Sequence, residues 1–123
     1  MTEKTKKELC VLLENIRANE SGSTLKKYMP VHYSSGYQFS TTRNSETNMA
    51  ETVTDAVKMI ETLKGNCGVW FYDGLFYVES SDYTESYEIA VRTAYIFDQI
   101  SIYDWKNDAY IDVKTAFEES FKN

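Results

Sequence analysis

Along Gly68–Ser80 the chain reads as two aromatic-rich runs split by Asp73-Gly74. An Asp-Gly pair between such runs predicts a β-hairpin, because a type I′ turn needs positive φ at both central residues. The turn fixes register, and register sorts side chains by face. Tyr72 is expected opposite Leu75, Phe71 opposite Phe76, Trp70 opposite Tyr77 and Val69 opposite Val78. One face is then Val69, Phe71, Phe76 and Val78, all apolar. The other is Trp70, Tyr72, Leu75 and Tyr77, apolar with polar tips. A hairpin of this kind is covered on both sides, by its own helices or by a partner.

The helical period appears in three places. Leu9, Leu12, Leu13 and Ile16 mark a helix over 3–18 that ends in the turn residues 19–23. Met49, Val53, Ala56, Val57, Ile60 and Leu63 mark a helix over 47–64, with Gly65 as its left-handed terminator. From Asp82 to Ser101 one stripe carries Tyr83, Tyr87, Ala90, Val91, Ala94 and Phe97. A second carries Ile89, Ile96 and Ile100. Asp82 and Glu85 have capping-box spacing. So much apolar circumference predicts a sandwiched helix, its second stripe covered by the last helix or by a second copy in a homodimer.

Between the first two helices, Tyr28, Val31 and Tyr33, then Tyr37, Phe39 and Thr41, alternate as two short strands. Thr42–Ser45 reads as a polar loop. Asp108 is a candidate cap for a last helix with Tyr110, Val113, Phe117 and Phe121. A short strand over Tyr110–Val113 is the rival reading. The expected order is α-β-β-α-β-β-α-α. This is one α+β domain over 1–123, with an antiparallel sheet built from two hairpins and helices packed on it. The 123 residues match one core of ordinary size.

Charge then narrows the function. The net charge is −6. It falls almost wholly in residues 65–123, which hold four Lys+Arg and 11 Asp+Glu. Acidity disfavours direct nucleic-acid binding, whose affinity rests on Lys and Arg, and favours a basic partner. A minority reading for single strands rests on the basic N-terminal third, Lys4, Lys6, Lys7, Arg17, Lys26 and Lys27, followed by Tyr28, Tyr33, Tyr37 and Phe39. Ten tyrosines and ten lysines against three arginines match an AT-rich coding sequence, and hint at a phage or mobile element. No apolar run approaches a membrane span, and no apolar core follows the basic N-terminus, so a cytoplasmic protein is expected.

Catalytic chemistry finds little support. His32 is the single histidine, and its neighbours Ser34 and Ser35 fit no nucleophile motif. Cys10 and Cys67 read as small buried apolar residues, with no disulfide. No metal spacing and no phosphate-binding loop occur, so neither a metal nor a cofactor is expected.

The leading expectation is a small, acidic, non-catalytic binding protein. It would cover the basic surface of a partner, such as a nuclease or another nucleic-acid-binding protein. Immunity, anti-restriction and anti-CRISPR proteins work in this way. The expected contacts are Tyr95, Tyr103, Asp104, Trp105 and Asp108, with Glu85 and Glu88 steering. The alternative is a small-ligand or regulatory domain whose pocket is lined by His32, Trp70, Tyr72 and Tyr77.

Overall fold

In a computed structural model, which describes residues 1–43 and 47–121, the hairpin forms in the expected register. Val69 faces Val78, Trp70 faces Tyr77, Phe71 faces Phe76 and Tyr72 faces Leu75. Asp73 (φ 49°) and Gly74 (φ 82°) both take the left-handed region the turn requires. A Cβ on Gly74 would meet nothing within 4 Å. Gly74→Ala should therefore cost only the left-handed penalty, about 1 kcal/mol, read as a lower urea midpoint at unchanged slope.

In chain order the elements are α1 (Glu3–Asn19), β1 (Gly22–Lys26), β2 (Met29–Pro30), β3 (Tyr37–Phe39), β4 (Asn48–Ala50), α2 (Val53–Thr62), β5 (Cys67–Tyr72), β6 (Leu75–Ser80), β7 (Asp82–Thr84), α3 (Tyr87–Ile96), β8 (Ser101–Asp104), β9 (Ala109–Asp112) and α4 (Val113–Ser120). The α+β class, the antiparallel pairing and the helices packed on sheet stand as read from the sequence. The strands divide between two sheets, ordered β2-β1-β5-β6-β4 and β7-β3-β8-β9. The chain correspondingly forms two compact units, residues 1–31 with 47–80 and residues 32–46 with 81–123.

In the first unit α1 and α2 bury Leu9, Leu13, Ile16, Ala56, Val57 and Ile60 with Leu25, Cys67, Val69, Phe76 and Val78 of the sheet. Thr52 caps α2 by accepting from the Asp55 amide at 3.1 Å. Burial pushes the Cys67 thiol up to about 12, which makes it inert. On the opposite face of the hairpin Trp70 and Tyr77 stack at 5.5 Å, 11° from parallel.

The second unit has its own core. Phe39 and Ile102 of the sheet bury against Ala90, Val91 and Ala94 of α3 and Val113 and Ala116 of α4.

Several element boundaries differ from expectation. The helix expected over 82–101 starts at Tyr87, with Ser86 as cap accepting from the Ile89 amide at 3.2 Å. Residues 82–84 are strand because they pair with β3, Gln38 facing Tyr83. The helix expected over 47–64 yields its first turn to β4, which adds to the free edge of β6. The polar run 19–23 leads straight into β1, paired with β5. Asp112, not Asp108, caps α4, accepting from the Thr115 amide at 2.9 Å. The Thr115 hydroxyl, together with that amide bond, holds the Asp112 carboxyl below its usual range. Ala109–Asp112 is strand, as the rival reading had it. Asn44 and Ser45 of the expected polar loop lie outside the described residues.

Candidate functional site

Cross-strand partners share a sheet face, and neighbours along a strand alternate faces. Gln38 faces Tyr83 on one side and Tyr103 on the other, and Tyr103 faces Tyr110. The second sheet therefore carries a transverse row Tyr83–Gln38–Tyr103–Tyr110. The core residues Phe39 and Ile102 alternate with this row, so the row lies on the face opposite α3 and α4.

Trp105 completes the row from the β8–β9 turn. Its indole Nε1 donates to Gln38 Oε1 at 3.1 Å, and Gln38 Nε2 donates to Ser81 Oγ at 2.8 Å. Its backbone amide donates to the Gly36 carbonyl at 3.0 Å. The indole thus covers the one amide in a row of phenols. Around it Tyr103 lies at 4.9 Å, His32 at 5.1 Å and Tyr33 at 5.6 Å, all near perpendicular. Tyr33 stacks on Tyr83 at 3.8 Å, and Tyr103 meets Tyr110 edge-on at 5.3 Å. Counting the indole, six aromatic side chains are thereby in continuous contact.

Carboxylates sit at both ends. Tyr83 Oη donates to Glu85 and, at 2.8 Å, to the Ser35 carbonyl. Ser35 Oγ donates to both Glu85 oxygens, at 3.1 and 3.2 Å. At the other end Tyr103 Oη donates to Asp108. The bonds to Glu85 and Asp108 raise both phenols, Tyr103 to about 12, because ionisation would set a phenolate against a carboxylate. The folded value lies above the unfolded one, so the bond contributes stability below about pH 10 and loses it as pH rises toward 12. Asp108→Asn should return one tyrosine to the ordinary range in a 295 nm titration, with no change at neutral pH.

The structure brings together Glu85, Tyr103, Trp105 and Asp108 of the expected contacts. It separates the others. Asp104 is buried, and its carboxylate accepts from the Lys106 amide (3.1 Å), the Asn107 amide (3.3 Å) and Asn107 Nδ2 (2.7 Å). Asp104 therefore shapes the turn that presents Trp105 and offers no surface of its own. Glu88 and Tyr95 belong to α3, on the helical side of the sheet. Glu88 pairs with Arg92 at 3.0 Å, and Tyr95 stacks on Phe117 at 3.9 Å.

The alternative ligand set is divided too. Trp70, Tyr72 and Tyr77 belong to the first unit and His32 to the second. Trp70 and Tyr77 spend their ring faces on each other, while Tyr72 stands 67% exposed at the hairpin tip.

Tyr33, Gln38, Tyr83 and Tyr110 were missed as site residues. The signal for one of them, Tyr110, is present in the short strand reading over 110–113.

Among the described residues no group of three or more His, Cys, Asp or Glu is placed to hold a metal ion. No helix among them is long and apolar enough to cross a membrane. Comparison of the chain with protein-family models, with curated proteins and with solved structures gives no match.

Proposed function

We propose that the chain is a non-catalytic binding protein whose second unit docks on the basic surface of a partner protein through its aromatic row. The observation that carries this reading is the side-by-side placement of Tyr33, Tyr83, Tyr103, Trp105 and Tyr110 on the sheet face opposite the helices, with Glu85 and Asp108 at its ends. Tyrosine and tryptophan on such a face bury large areas while keeping polar tips satisfied, which is the composition of interface centres.

Charge supports the same reading. The second unit carries ten Asp+Glu against five Lys+Arg, net −5, while the first is nearly balanced at −1. The acidity of residues 65–123 thus belongs largely to the unit that carries the half-buried row. A nuclease or another nucleic-acid-binding protein offers a matching basic surface, and an inhibitor acting by occlusion needs no chemistry beyond fit.

The test is capture from host lysate at low and high salt, with the wild type and with Glu85→Lys/Asp108→Lys. A basic protein retained by the wild type at low salt, weakened by salt and lost to the double variant, supports the reading. Equal capture by both forms contradicts it.

A further inference from the structure

We infer that the row around Trp105 is an arginine-recognition surface, taking guanidinium groups of a basic partner in preference to lysine ammonium groups. The inference rests on the proposed docking role and names the side chain that the row reads.

Three features of the row point to arginine. First, its rings meet edge to face, Trp105 against Tyr33 at 71° and against Tyr103 at 89°. Neighbouring faces therefore form corners. A planar cation stacked on one ring presents its edge to the next, and the phenols of Tyr83 and Tyr103 each hold a carboxylate beside the row. A guanidinium has that shape, with five donors in its plane, whereas an ammonium is a compact and strongly hydrated point charge. Secondly, the acceptors are held in place. Glu85 is fixed by the Ser35 hydroxyl and the Tyr83 phenol, and Asp108 by the Tyr103 phenol. A carboxylate has about four acceptor sites, so Asp108, with one bond, keeps capacity for an incoming fork, and Glu85, with three contacts, for a single further donor. Thirdly, the indole is held by Gln38 and its backbone by the Gly36 carbonyl, so rotamer freedom to be lost on binding is reduced.

The same unit already makes this pairing within itself. The Arg92 guanidinium lies over Phe121 at 4.7 Å while its Nε meets Glu88 at 3.0 Å. One cation there takes a ring face and a carboxylate together.

The experiment titrates the whole protein with hexa-arginine and, separately, hexa-lysine at equal low ionic strength. It follows the amide and Trp105 indole resonances. The expected result is about tenfold tighter binding of hexa-arginine, with shifts centred on Tyr33, Tyr83, Tyr103 and Trp105. Tyr103→Leu should reduce that preference to about twofold or less while leaving hexa-lysine binding nearly unchanged. Equal binding of the two peptides on this face would overturn arginine selectivity and leave the acidic docking role standing. Shifts centred elsewhere, or no binding by either peptide, would overturn both.

Discussion

Gly36→Ala is expected to lose about 3 kcal/mol of stability and to dismantle one end of the aromatic row. Gly36 is buried at φ +87°, a backbone region that L side chains enter only with strain. A Cβ there would lie 2.4 Å from the Tyr83 hydroxyl oxygen and 2.6 Å from its ring carbons. A free tyrosine would swing away. This one is stacked on Tyr33 and donates to the Ser35 carbonyl, so moving it breaks both contacts. The Gly36 carbonyl also receives the Trp105 amide, so the displacement passes to the centre of the row. The contrast with Gly74 separates the causes. Both glycines have positive φ, but only Gly36 has a neighbour in the way. Chemical denaturation should show a loss about three times that of Gly74→Ala. Near-ultraviolet circular dichroism should show a changed aromatic signal in the native baseline of Gly36→Ala alone.

Trp105→Ala should weaken partner binding by about 2–4 kcal/mol, roughly thirty- to a thousandfold, more than any single carboxylate change. The indole stands on the face opposite the core cluster, so its removal leaves Phe39, Ile102 and Val91 packed as before. It does remove the common neighbour of Tyr33, His32 and Tyr103 and uncovers the Gln38 amide. Glu85→Gln and Asp108→Asn each remove one charge at an exposed end, where screening is strong, and should cost about 1 kcal/mol or less. Calorimetry with the captured partner compares them. A folded Trp105→Ala protein that binds as the wild type does would remove the indole from the interface.

The contrast between these residues explains what could be read in advance. The β5–β6 hairpin was legible to the residue because Asp73-Gly74 sets the register locally. The period-3.6 stripe of Val53, Ala56, Val57 and Ile60 was legible because an amphipathic helix needs no knowledge of its partner. Trp105, Tyr103, Asp108 and Glu85 could be named from residue type and charge. Their contact with Tyr33 and Tyr83 could not, since it depends on β3 pairing with both β7 and β8 across long chain separations. Tyr83 illustrates the competition. Its neighbours fit a helical stripe with Tyr87 and Ala90, but pairing with Gln38 and stacking on Tyr33 hold it in a strand. The division into two sheets was hidden for the same reason. Short strands such as β4 and β7 carry little period of their own and are stabilised by the edges they join.

Oxidative footprinting of the side chains, with the protein free and bound to the captured basic partner, tests the central claim most directly. The account predicts that binding shields Tyr33, Tyr103, Trp105 and Tyr110, and leaves Tyr95 on α3 and Tyr72 at the hairpin tip as reactive as before. Protection confined to Tyr95 and the exposed α3 residues Ile89 and Ile96, with the row still open to oxidation, would contradict it.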